Sequence, residues 1–128
     1  MITQELSAVT AACMLTWKHL YENLGGFDEQ NLPVAFNDVD YCLRLQEKGY
    51  RVIYTPHAEL YHHESASRGR DSTWRQHLRA RREIIYMRKR WRERMKHDPY
   101  YNPNLTYDQP NFTLSWNPRV ARPWVKRR

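Results

Sequence analysis

The segment from residue 68 to residue 98 constrains the fold most. It holds twelve Lys and Arg against four Asp and Glu, a net of +8. The whole chain carries 21 against 14, a net of +7, so the remainder is close to neutral at −1. Within the segment, Trp74 and Leu78 lie four apart, and Ile84, Met87, Trp91 and Met95 keep helical spacing. The pattern predicts one long helix over residues 72–96, capped by Asp71 or Ser72, with a face of almost nothing but Arg and Lys. A basic stripe of this kind points to an acidic neighbour: nucleic acid, an anionic membrane surface or a phosphorylated substrate. A solvated face is the plainest reading. Trp74, Trp91 and Met95 under the basic face also suit a helix lying in a membrane interface. No nucleic-acid-binding motif accompanies the charge, and aromatics at helical spacing more often pack in a core than stack on bases.

At 128 residues the chain has room for one ordinary domain, and 41% apolar content is enough for a core. No apolar run approaches the roughly 18 residues of a membrane span. The start, Met1-Ile2-Thr3-Gln4-Glu5, lacks the charge and apolar stretch of a signal peptide. Cys13 and Cys42 form no Cys-x-x-Cys pair. That excludes a disulfide framework and a structural zinc site of the usual spacing, and suggests a reducing compartment.

Residues 7–15 are small, uncharged and partly β-branched, and predict a buried strand or extended piece. Thr16 can cap a short helix that places Trp17, Leu20, Tyr21 and Leu24 on one face, with Gly25 as its stop. A loop through Pro33 leads to a second helix over residues 38–48, capped by Asn37 or Asp38 and ended by Gly49. Residues 50–54 read as a strand and 59–63 as a second extended piece. The expected domain covers residues 1–98. A Pro- and Asn-rich tail, 99–128, is expected to lie extended over it.

Asn37-Asp38-Val39-Asp40 has the form of a D-x-D metal motif, but it opens a helix. Residues two apart on a helix are turned by about 200°, so the two carboxylates cannot share one site. An acid in the first turn also stabilises a helix by capping and through the macrodipole.

The chain carries, in this order, Ala8-Val9-Thr10-Ala11-Ala12-Cys13-Met14-Leu15, Gly25-Gly26-Phe27-Asp28-Glu29, Asn37-Asp38-Val39-Asp40-Tyr41-Cys42-Leu43-Arg44-Leu45, Gly49-Tyr50-Arg51-Val52 and Tyr61-His62-His63-Glu64-Ser65-Ala66-Ser67-Arg68-Gly69. Together these resemble the C-terminal, acceptor-side half of a family 2 glycosyltransferase with the GT-A fold. The tail Asp98-Pro99-Tyr100-Tyr101-Asn102-Pro103-Asn104 is similar to the end of bacterial rhamnosyltransferase-like and O-antigen members. The likeness covers about residues 6–108. It implies an α/β fold, a partial Rossmann-like GT-A domain with few strands, a long basic helix and an extended tail. It also implies inverting transfer of a sugar from a nucleotide sugar to a glycan or lipid-linked acceptor.

In that family an acid at this helix start is the catalytic base, which maps onto Asp38. A sugar hydroxyl is a poor nucleophile and needs a proton acceptor, and a carboxylate, with an ordinary pKa of about 4, is ionised at neutral pH. Asp40 then faces elsewhere, in a structural role such as a salt bridge. Asn37 stands where many relatives carry Glu, and joins Asp28 and Glu29 as an expected substrate contact at the acceptor pocket. The resemblance makes His62, with His63 as the alternative, a ligand of Mn²⁺ or Mg²⁺ on the donor diphosphate. Adjacent residues of an extended segment face opposite ways, so only one of the two can serve. Ser67 and Arg68 would contact the phosphates.

No donor-binding half is recognisable in the sequence, so the chain is expected to be a truncated or split enzyme whose other half, and most of its metal site, come from elsewhere. The expected location is cytoplasmic, with peripheral contact at the inner face of the membrane. Nucleic acid is not the expected partner. The alternative is a non-catalytic basic module that binds an anionic membrane or nucleic acid.

Overall fold

The computed structural model describes residues 2–61, 73–109 and 111–120. Two short strands, β1 (Gln4–Glu5) and β2 (Ile53–Tyr54), pair antiparallel, with Gln4 opposite Tyr54 and Glu5 opposite Ile53. The helices are α1 (Lys18–Asn23), α2 (Asn37–Glu47), α3 (Trp74–Arg90) and α4 (Arg92–Lys96), and a 3₁₀ turn covers Ala11–Cys13. No described helix is long and apolar enough to cross a membrane.

The core is built around α2, which is buried on two sides. Leu43 packs with Leu32, Met87 and Trp91. Tyr41 and Leu45 pack with Leu20, and Met14, Tyr21, Leu24 and Phe27 close that cluster. Tyr21, Phe27 and Tyr41 meet edge-on or tilted, with centroids 5.3–5.8 Å apart, as ring quadrupoles favour.

Both predicted glycine stops are found. Past α2, Gly49 (φ 82°) donates to the Gln46 carbonyl and Tyr50 to the Leu45 carbonyl, a Schellman ending. Past α1, Gly25 donates to Glu22 and Gly26 to Tyr21 in the same pattern. Gly26 has φ 65°, and a Cβ there would sit 3.1 Å from the Tyr21 ring.

Several expectations are corrected. Residues 7–15 do not form a strand. The Ala11 amide is held by the Asp38 carboxylate and the Ala12 amide by the Thr10 hydroxyl, which curls the chain into the 3₁₀ turn. Thr16 does not cap α1, because its hydroxyl bonds that of Tyr41, and Trp17 holds the cap position without a side-chain bond. The cap position of α2 is Phe36, in the left-handed region at φ 63°. The long helix starts from a Thr73–Gln76 capping box and divides at Trp91, whose indole turns inward. Strand pairing covers only Ile53–Tyr54 of residues 50–54.

The tail is not simply extended. Leu105 and Leu114 form an antiparallel bridge, and the Arg119 guanidinium lies 3.4 Å from the centre of the Tyr107 ring. It is tied to the body where Ser7 donates to Asp98 (2.6 Å) and Tyr100 to Glu5 (2.6 Å).

Candidate functional site

The two acids of the D-x-D pattern part company, as the helical rotation requires. Asp40 is fully buried. One carboxylate oxygen accepts from Arg44 Nε at 2.7 Å; the other accepts from Trp91 Nε1 at 2.8 Å and lies 3.4 Å from Arg90 Nε. The salt bridge expected of this residue is present. Arg44 passes the anchorage on, donating to the Leu24 carbonyl (2.5 Å) and the Gly26 carbonyl (2.6 Å). Asp40 therefore fixes the Gly25-Gly26-Phe27-Asp28-Glu29 loop through one arginine and α3 through another.

Asp38 is half-buried in the first turn of α2. One oxygen accepts from the Val39 amide (2.8 Å), and the other reaches back to the Ala11 amide (3.0 Å). Asn37 turns its amide oxygen onto the Asp38 N–H at 2.8 Å. Ala11 belongs to the wall of an apolar hollow of about 820 Å³, shared with Val9, Met14, Cys42, Val52 and Ile53. Burial pushes the Cys42 thiol up, and the Asp38 charge adds to this.

Asp28 and Glu29 border a different, more polar hollow of about 740 Å³, together with Tyr21, Gly26, Arg44 and Arg90. Asp38 is not among its lining residues. Asp28 accepts from the Asn31 amide (3.0 Å) and from the Tyr86 hydroxyl (2.8 Å), and Arg90 stands 3.7 Å away. Burial pushes the Asp28 carboxyl up, but the Asn31 and Tyr86 hydrogen bonds and the Arg90 charge outweigh it, so the group lies below its ordinary value. Glu29 is exposed at the rim. The structure therefore brings Asn37 and Asp38 together, and Asp28 and Glu29 together, but apart from one another: Asp28 and Glu29 line the polar hollow, whereas Asn37 and Asp38 line neither hollow, and Asp38 reaches the apolar one only through the Ala11 amide.

His62, His63, Ser67 and Arg68 lie outside the described residues. Among the described residues, no three His, Cys, Asp or Glu side chains gather as a metal site. The described part therefore does not make a cation site by itself.

Three α3 contacts escaped the sequence reading. Tyr86 and Arg90, four apart and bonded to each other at 2.7 Å, hold Asp28. Trp91, weighed with Trp74 and Met95 as one side of a membrane-interfacial helix, is buried against Asp40. Glu83 is buried, and its Oε2 accepts the Ala35 amide at 3.0 Å, two residues before α2 begins. The only signal in the sequence was the i, i+4 spacing of Tyr86 and Arg90.

A family model described as glycosyltransferase-like family 2 matches residues 1–93, which include Asn37, Asp38 and every lining residue named for the two hollows. The chain belongs to this family. An uncharacterized protein of Sinorhizobium fredii, y4gI, is 48% identical over 89% of this family 2 chain, and the match covers 12% of that protein. The O-antigen biosynthesis protein RfbC of Myxococcus xanthus is 39% identical over 91% of the chain and 9% of its own length. The N-acetylglucosaminyl-diphospho-decaprenol L-rhamnosyltransferase of Mycobacterium tuberculosis is 34% identical over 62% of the chain and 25% of its own length. This family 2 chain thus spans between 9% and 25% of the length of these relatives. No solved structure matches it.

Proposed function

We propose that the chain is the acceptor-side part of an inverting glycosyltransferase, with Asp38 as the base that takes the proton from the attacking hydroxyl. The observation that carries this is the contrast between the two acids. Asp40 is sealed between two arginines and an indole. Asp38 is half-buried, and its described partners are backbone amides. An amide orients a carboxylate without occupying all its lone pairs, so Asp38 keeps acceptor capacity for an alcohol.

The donor is a nucleotide sugar and the acceptor a glycan or a lipid-linked glycan, in keeping with the names of RfbC and the rhamnosyltransferase. Asp28 and Glu29 line the acceptor side, with Asn37 beside the base. Ser67 and Arg68 face the donor phosphates. His62, or His63 in its place, is one ligand of a Mn²⁺ or Mg²⁺ ion that neutralises diphosphate charge. The remaining ligands and the nucleotide site come from a donor half outside this chain. The work is done in the cytoplasm, at the inner face of the membrane.

The test is transfer from a nucleotide sugar by the chain complemented with a family 2 donor half. Asp38→Asn should lower turnover by about 100-fold or more while leaving the circular dichroism spectrum unchanged. Unchanged turnover would remove Asp38 from the chemistry. Failure of the complemented wild type to transfer at all would favour a non-catalytic basic module.

A further inference from the structure

The outward face of α3 combines exposed apolar side chains with a concentration of cations. Trp74, Leu78 and Ile85 are spaced by four and seven residues, so they fall within about 40° of one another around the helix axis. They are 67%, 45% and 56% exposed. The buried residues of the same helix, Glu83 and Met87, lie on its opposite side. The helix thus has two apolar faces: one enters the core, and the other stands largely exposed, bordering an open hollow beside Gln30, Asn31 and Pro33.

Arg81 and Arg88 fall within the outer stripe, while Arg75, Arg82 and Lys89 flank it, and all five are exposed. The helix holds seven Arg and Lys and a single acid, Glu83, which is buried and paired with Arg79. Arg75 also lies over the Trp74 ring at 5.5 Å. The stripe therefore presents apolar side chains ringed by cations with no compensating acid on the helix.

We infer that the outward face of α3 docks on a bilayer carrying anionic headgroups, with Trp74, Leu78 and Ile85 entering the headgroup–acyl boundary and Arg75, Arg81, Arg82, Arg88 and Lys89 contacting phosphates. The chemistry decides against the other polyanion. Duplex nucleic acid satisfies cations but offers nothing for Leu78 and Ile85, whereas a lipid interface takes aliphatic side chains, indole and cations at adjoining depths. This inference does not depend on Asp38 or on transfer.

The test is flotation of the full chain with phosphatidylcholine vesicles, with and without a minority of phosphatidylglycerol. The chain should float with the anionic vesicles only, and should be released at about 0.5 M salt, where screening shortens to a few ångströms. Arg81→Glu with Arg88→Glu should lower the bound fraction roughly tenfold, each basic residue near the surface contributing to attraction. Trp74→Ser with Leu78→Ser and Ile85→Ser should also abolish flotation at moderate salt. Near-ultraviolet circular dichroism reports whether the Trp91 core survives in either variant. Should the serine variant not fold, quenching of Trp74 by brominated acyl chains, lost in Trp74→Phe, is the replacement readout. Asp38→Asn should float like the wild type, which separates this inference from the catalytic one. Equal flotation with pure phosphatidylcholine, full binding by both variants, or salt-sensitive binding to duplex DNA with no flotation would each overturn it.

Discussion

Asp40 shows how much a single buried carboxylate can organise when its partners come from distant parts of the chain. Removing it takes the acceptor from Arg44 Nε and from the buried Trp91 indole N–H, and removes the carboxylate beside Arg90 Nε. Asp40→Ala is expected to cost about 3–5 kcal/mol, measured as a lower urea midpoint. Asp28 contributes through protonation. Its carboxyl lies below its ordinary value in the folded chain. A depressed folded value means that the unfolded state binds the proton more readily, so the contribution is present above the unfolded value of about 3.9 and is lost as pH falls through the folded one. Asp28→Asn should therefore flatten the acid side of the stability profile below about pH 4, while narrowing the gap to wild type as pH drops. The Asp38/Asp40 division was legible from helix geometry alone, since a 200° rotation (about, by the helix repeat) forbids a shared site. The partners were not legible: Tyr86 lies 58 residues from Asp28 and Trp91 51 from Asp40, and no local pattern reports such a pairing.

The glycine-ended C-termini of the helices were the most readable elements, because glycine in the left-handed region is a local requirement, whereas the predicted N-caps were replaced by Trp17, Phe36 and Thr73. The two stops, Gly25 and Gly49, stand in open space, but Gly26, next to the first of them, does not. A Cβ at Gly49 meets nothing within 4 Å, whereas one at Gly26 presses on the Tyr21 ring at 3.1 Å. Gly49→Ala should cost about 1 kcal/mol from backbone conformation alone. Gly26→Ala should cost more, because Tyr21, whose hydroxyl accepts the Phe27 amide at 3.1 Å, must also move. Thermal melts of the two variants side by side measure the difference. Strands were the least readable. Residues 7–15 have strand composition, yet their backbone bonds go to Asp38 and Thr10, and a strand needs a neighbour that composition does not name. The basic helix was legible in its period but not in its break, which falls where Trp91 commits its indole to Asp40.

At the scale of the molecule, a two-stranded sheet of two residues each has little stability of its own and depends on the helices beside it. Gln46 of α2 donates to the Leu6 carbonyl at 2.9 Å, and Leu6 in turn donates to Val52 at 3.0 Å. Asp98 then closes the arrangement by holding both the Ser7 hydroxyl and the Tyr100 amide. Asp98→Ala should leave the melting of the core within about 1 kcal/mol of wild type, yet speed proteolytic cutting in residues 99–109. Ser7 and Asp98 are 91 residues apart in sequence but only 2.6 Å apart between their side-chain oxygens. A body whose entry and exit segments adjoin can be spliced into a host polypeptide without separating the flanks it interrupts, so grafting residues 4–100 into an exposed turn of an unrelated carrier should leave both partners folded.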